Sequence, residues 1–311
     1  MEAKEISVKF LRFCSLLVAT IILIGNILCF YIFSRKKFKS TIFSSYFRYD
    51  LLINLFYLFL PIDYFLELSR NVETKLISDL ACKMYRYYED VVTPISHYIL
   101  AAISIDRYLT IVYPKKYAFK NKVSFHLKCC IGITVFNCVY YIPSLIYFGL
   151  ISSVSNDLLF LNNNDSINSS NLSCSNRIII LNFLNVLNDV IVPFGIMSIF
   201  TILLIKSIYD SRKRARSLAS AQNRTQSKYI RLAVTSISVN IVFFSLTLPY
   251  YTTFFIEFDD NNDVLTIIDS FFSFLYDCKF GSMFIVIFFT NSLFRTELKS
   301  IIGAIYKKLN N

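Results

Sequence analysis

Polar and hydrophobic positions alternate along this chain on the scale of whole segments. Mostly apolar runs of about 20 residues, the length a helix needs to cross the hydrocarbon core of a bilayer, lie near residues 13 to 33, 42 to 66, 84 to 108, 128 to 150, 178 to 205, 231 to 256 and 264 to 290. Seven such runs predict an all-α membrane protein, a seven-transmembrane helix bundle with a short amphipathic C-terminal helix. Residues 1–12 are expected to form an outer N-terminus, 13–290 the bundle, and 291–311 the amphipathic helix and a short inner tail. The first run is expected to act as its own insertion signal. In the last segment Phe294, Leu298, Ile301, Ile302, Ile305 and Leu309 share an apolar face, and Arg295, Lys299, Lys307 and Lys308 are placed to meet lipid headgroups.

Composition agrees with the pattern. Hydrophobic residues make up 55% of the 311, charged ones 17%, and the mean hydropathy is +0.52, which excludes a water-soluble enzyme. The net charge of +11 would suit nucleic-acid binding in a soluble chain. Here the basic residues sit in short loops between apolar runs, where bilayer orientation accounts for them, so no nucleic-acid partner is expected. Arg35, Lys36, Lys37 and Lys39 lie in one such loop, six cations from Arg107 to Lys128 in the next, and eight from Lys206 to Arg231 in the third. The alternate segments are poorer in cations, and 257–263 carries Glu257, Asp259, Asp260 and Asp263 with none. This asymmetry puts the N-terminus outside a plasma-membrane protein.

Two further signals fit that orientation. Asn164, Asn168 and Asn171 each open an N-x-Ser triplet in the segment 151 to 177, and such acceptors are glycosylated on the outer side. Of the 8 cysteines, Cys14, Cys29, Cys129, Cys130, Cys138 and Cys278 fall within runs or at their ends. Cys82 and Cys174 are left in outer segments, as a disulfide or as two free thiols; the oxidising side favours the bond, worth about 3–5 kcal/mol by loop closure.

At the inner end of the third run the chain reads Ser104-Ile105-Asp106-Arg107-Tyr108, with Pro114 following. This resembles the rhodopsin-like G-protein-coupled receptors, in which an Asp-Arg-Tyr triplet ends the third helix. Gly25-Asn26, the spacing from Cys82 to Arg107, Pro143, Pro193, Pro249 and Asn291-Ser292-Leu293-Phe294-Arg295 extend the likeness over most of the chain. The resemblance implies a receptor that passes an extracellular ligand's binding to a heterotrimeric G protein, with Asp106, Arg107 and Tyr108 at the coupling face and Lys228 in the basic loop that helps to form it. On the residues alone, Arg107 is either a switch that Asp106 holds and releases or a cation snorkelling to the interface. The family pattern is broken where it describes activation: Asn54 replaces the second-helix Asp, disfavouring a sodium site; Thr247 stands for a tryptophan; and Met283 to Ile287 replace Asn-Pro-x-x-Tyr.

Carboxylates inside a membrane are costly and therefore functional candidates. Glu89, five helical turns before Arg107, faces the bundle interior near the outer mouth, with Asp90 beside it. Two readings stay open for it: a partner for a ligand's cation, or an internal salt bridge with Arg86 or Lys83. Asn182, Asn185 and Asp189 form a stripe on the fifth helix, and Asp269, Ser273 and Asp277 one on the seventh. Tyr85, Tyr88, Tyr250, Tyr251 and Phe254 offer cation–π surface or core packing. Lys279 is expected to pair with Asp50, since Asp277 points to another side of its helix. The candidate ligand site is thus Glu89, Asp90, Asn185, Asp189, Tyr250, Ser273 and Asp277, for a basic peptide or an amine. His97 and His126 are too far apart for a metal site, no cofactor fingerprint is present, and catalysis is not expected. A cation transporter or channel, and a decoy receptor that binds without coupling, are the alternatives.

Overall fold

A computed structural model describes residues 2–39, 42–70, 74–113, 123–152, 172–176, 179–217, 223–253 and 263–309. Within it, seven helices are long and apolar enough to cross a membrane: Lys9–Ser34, Ser44–Glu67, Asp79–Val112, Ser124–Tyr147, Phe183–Asp210, Ala233–Thr252 and Ile267–Thr290. They are called the first to seventh helices below. Their outward side is apolar, with Leu23, Ile24, Val135, Val139, Ile199, Ile202 and Phe289 exposed where lipid would lie. Asn164, Asn168 and Asn171, Phe254 and the acidic residues 257–262 lie outside the described residues.

Prolines explain where the helices depart from regularity. The second helix is broken at Leu58, between Ile42–Tyr57 and Phe59–Arg70, because Pro61 has no N–H for the carbonyl of Tyr57. The fourth breaks at Tyr141, two residues before Pro143. In the fifth, Leu187–Ile191 forms a π-helical turn immediately before Pro193. That turn rotates the residues above it relative to a plain 3.6-residue count.

The third helix is the axis of the bundle. Ser78 caps it, its hydroxyl accepting from the Ala81 N–H at 3.0 Å, so the helix begins at Asp79, several residues earlier than the apolar run suggests. Cys82 therefore sits in its first turn and is disulfide-bonded to Cys174. Cys174 belongs to β2 (Leu172–Asn176), which pairs antiparallel with β1 (Phe148–Ser152), and Leu150 lies opposite Cys174. The hairpin is tied twice, since the Leu150 N–H also donates to Asp79 at 3.2 Å.

A ladder of buried polar side chains joins the inner half. Asn26 donates to the carbonyl of Phe280 at 3.1 Å. Asp50 accepts from Ser96 at 2.6 Å and from Asn54 at 3.3 Å. Asn240 donates to Ser104 and Thr201, both at 2.8 Å, linking the sixth helix to the third and fifth. Below them the amphipathic helix Ser292–Leu309 starts from Asn291, whose side chain accepts from the Leu293 and Phe294 N–H groups. Phe294 is buried against Phe33 and Phe284, and Glu297 pairs with Arg35 at 3.2 Å, which fastens this helix to the first.

The first and seventh helices pack tightly where Gly25 meets Gly281 and Phe284. A Cβ on Gly281 would stand 2.7 Å from the Ile21 Cγ2 and 3.2 Å from the Ile22 nitrogen, whereas one on Gly195 would meet open space. Gly281→Ala should cost about 1–3 kcal/mol by overpacking, and Gly195→Ala should add about 0.5–1 kcal/mol by removing unfolded-state freedom. Melting midpoints of the detergent-solubilised chain should therefore move in opposite directions; equal midpoints would contradict this packing.

Candidate functional site

Two adjoining cavities lie in the half of the bundle that carries the Cys82–Cys174 disulfide. The larger, of about 250 Å³, lies between the first, second, third, sixth and seventh helices and is lined by Tyr57, Tyr85, Glu89, Tyr250, Asp269, Ser273 and Asp277. The smaller, of about 130 Å³, reaches the fifth helix and is lined by Arg86, Glu89, Asp90, Asn185, Asp189, Tyr250 and Tyr251. Glu89 and Tyr250 belong to both walls. All seven residues singled out for a ligand thus face one cavity or the other. The physical reason is helical spacing: 269, 273 and 277 repeat every four residues and share a face. Tyr88 turns instead to the second helix and donates to the Phe56 carbonyl at 2.5 Å.

The carboxylates in these walls are already held. Arg86 donates to Glu89 at 2.6 Å, so the internal salt bridge is the arrangement present, while Lys83 pairs with Asp79. Tyr57 donates to Asp277 at 2.5 Å and Ser144 to Asp90 at 2.7 Å, with Asn185 Nδ2 3.5 Å from the same oxygen. An entering cation would find neutral hydroxyl partners at Asp277 and Asp90 and a cationic competitor at Glu89. Arg86 also lies 5.3 Å over the Phe148 ring of the hairpin.

Lys279 corrects the expected pairing with Asp50. Its Nζ lies 2.8 Å from Nε2 of His97 and 3.3 Å over the Tyr276 ring, with the Phe280 and Phe243 rings at 4.6 and 5.4 Å. Asp50 is satisfied by Ser96 and Asn54, and the seventh helix turns Lys279 towards the third helix, not the second. On its other side His97 Nδ1 is 2.6 Å from the Asp189 carbonyl, and a carboxylate oxygen of Asp189 lies 2.9 Å from the same nitrogen. Tyr251 donates to the Asp189 carboxylate and its hydroxyl is 3.3 Å from that of Tyr276.

Sequence reasoning passed over several of these groups. His97 carried no role because no metal site could be built on it. Asn188 was skipped by the stripe of Asn182, Asn185 and Asp189, yet the π-turn directs it to three partners: it accepts from Tyr98 at 2.6 Å and donates to Tyr141 at 3.1 Å and Asn137 at 3.3 Å. The adjacent Asn-Asp followed by Pro193 was the available signal.

At the opposite end of the third helix Arg107 donates to Asp106, and both are buried, which a cation snorkelling to lipid headgroups would not be. His126, fully buried on the fourth helix, brings Nδ1 to 3.9 Å from Asp106 and packs edge-on against Tyr46. Tyr108 packs against Phe200 of the fifth helix. Lys228 lies in the helix Asn223–Thr252, but its side chain is outside the described residues. Among the described residues no group of three or more His, Cys, Asp or Glu side chains converges as a metal site.

Comparison with known proteins gives a consistent picture. Residues 25–293 match the family model described as 7 transmembrane receptor (rhodopsin family). The neuropeptide S receptors of Mus musculus and Rattus norvegicus are each 42% identical over 72 residues, 23% of this chain and 19% of theirs. G-protein coupled receptor 52 of Mus musculus is 26% identical over 253 residues, 78% of this chain and 66% of its own length. The chain therefore spans about a fifth of the first two relatives.

The Asn188 cluster makes a direct prediction. Asn188→Leu keeps the side-chain size while stripping Tyr98, Tyr141 and Asn137 of a partner, and should destabilise by about 2–3 kcal/mol. Thermal unfolding of the purified chain measures it; a loss within error of zero would mean that the cluster does not hold the third, fourth and fifth helices together.

Proposed function

The chain belongs to the rhodopsin family of seven-transmembrane receptors, and we propose that it acts at the plasma membrane, N-terminus outside, converting the binding of an extracellular cationic ligand into guanine-nucleotide exchange on a heterotrimeric G protein. The observation that carries the ligand class is the acidic lining of the two cavities: among the described residues Glu89, Asp90, Asp189, Asp269 and Asp277 line them against one basic side chain, Arg86. The rings of Tyr57, Tyr85 and Tyr250 in the same walls suit an ammonium or guanidinium group. A basic peptide is favoured over a small amine, because the sites are spread over two cavities and because relatives include receptors named for a neuropeptide.

The buried Asp106–Arg107 pair supports coupling at the inner face, as a two-state element that a partner there could bias. A second reading, a decoy that binds without coupling, is favoured by one observation: Thr247 is fully buried where the family's usual tryptophan would stand, and Met283 to Ile287 lack the proline and tyrosine of the family pattern.

One experiment tests both readings. GTP exchange is followed in membranes from cells expressing the intact chain, Arg107→Ala and Glu89→Gln at equal surface levels, challenged with pools of amines and basic peptides. Exchange should rise with a cationic pool, vanish in Arg107→Ala, and need about tenfold more ligand in Glu89→Gln, the order expected for a charged hydrogen bond. Saturable binding with no exchange in the intact chain would instead establish the decoy; unchanged potency in Glu89→Gln would remove that residue from the ligand site.

A further inference from the structure

Lys279, His97, Asp189, Tyr251 and Tyr276 form a closed ring beneath the second cavity, contributed by the third, fifth, sixth and seventh helices. Its proton arrangement follows from the partners. The Asp189 carbonyl can only accept, so Nδ1 of His97 carries the hydrogen; the Lys279 amine donates, so Nε2 accepts. His97 is thus a bridge between the buried Lys279 amine and Asp189. The carbonyl it reaches lies within the π-turn Leu187–Ile191. Asp189 is therefore held by two neighbours: His97, with Lys279 behind it, meets its carbonyl and one carboxylate oxygen through Nδ1, and the hydroxyl of Tyr251 on the sixth helix meets the other carboxylate oxygen. Asp189 and Tyr251 also line the second cavity.

We propose that this ring couples the cavity to the sixth helix. A cationic group entering the second cavity takes the Asp189 carboxylate from the Tyr251 hydroxyl, and the sixth helix loses its tie to the fifth at that level. His97 and Lys279 are positioning residues that keep Asp189 in place while the exchange occurs. The sixth helix reaches the same core again through Phe243, whose ring faces Lys279, and through Asn240 at Ser104 and Thr201. Movement at Tyr251 is thereby passed towards the inner half without a large aromatic side chain at 247. This rests on the receptor reading above.

The test uses the full chain with bimane on Val234→Cys, an exposed position at the inner end of the sixth helix, in a background with Cys129, Cys138 and Cys278 changed to serine. Tyr251→Phe removes the tie and His97→Leu the bridge, whereas His97→Gln keeps a donor and an acceptor. Tyr140→Phe is the control, deleting a hydroxyl that bonds the Leu184 carbonyl at 3.0 Å between the fourth and fifth helices, outside the ring. In purified protein without ligand or G protein, bimane emission should shift in Tyr251→Phe and His97→Leu and stay at the parental value in His97→Gln and Tyr140→Phe. Ligand-free exchange should rise about fivefold in Tyr251→Phe, the factor one neutral hydrogen bond carries. If His97→Leu fails to reach the surface, Tyr251→Phe decides alone. Parental emission in folded Tyr251→Phe overturns the proposal, even where the parent couples to a G protein. Emission that shifts without exchange under any condition upholds the ring and removes the coupling reading instead.

Discussion

A backbone carbonyl inside a lipid-surrounded bundle has no water to turn to when its helical donor is missing. At Asp189, within the π-turn of the fifth helix, His97 Nδ1 lies 2.6 Å from the backbone carbonyl. The bond directs the imidazole, the imidazole receives Lys279, and the π-turn above Pro193 sets which residues of the fifth helix look inward. Asn188 and Asp189 consequently face different neighbours: Asn188 meets the third and fourth helices, and Asp189 the third and sixth. The π-turn and the His97 contact together set the floor of the candidate ligand site.

Above that floor the cavities hold an excess of carboxylates, and their present partners explain how they survive in a low-dielectric interior. Arg86 neutralises Glu89 directly. Tyr57 and Ser144 supply neutral donors to Asp277 and Asp90, which reduces the cost of burying those groups. A cation offered to Glu89 competes with a resident guanidinium, while at Asp277 or Asp90 it competes with a hydroxyl. Affinity and selectivity can therefore reside on different carboxylates of one site.

The inner end uses the same economy of partners. Asp106 faces both Arg107 and the ring of His126, so its carboxylate stands between a neighbour on its own helix and one on the fourth. The amphipathic helix closes this end: Arg295 donates to the carbonyls of Phe288 and Phe289 at 2.9 and 2.7 Å, capping the seventh helix, while Glu297 reaches Arg35 on the first. The tight crossing at Gly281 and the bond from Asn26 to the Phe280 carbonyl join the same two helices. Higher up, the same two helices line the larger cavity through Leu11, Cys14, Ser273 and Asp277.

Seven apolar runs of membrane-spanning length were legible in the chain because lipid imposes a composition on every residue of such a run, and no tertiary contact is needed to read it. The cysteine pair was legible by elimination, and the stripes at 269, 273 and 277 by the fixed period of a helix. Helix starts were less so, since the Ser78 cap acts through geometry that hydropathy does not report. The partners were not legible. Whether Lys279 meets Asp50 or His97 depends on how the seventh helix is turned against the second and third, and whether Asn188 faces the core depends on a π-turn that breaks the period used to count faces. Sequence alone determined which segments are long and apolar enough to cross a membrane; tertiary structure decided which of their side chains touch, because a rotation of one helix by a fraction of a turn exchanges one buried polar partner for another.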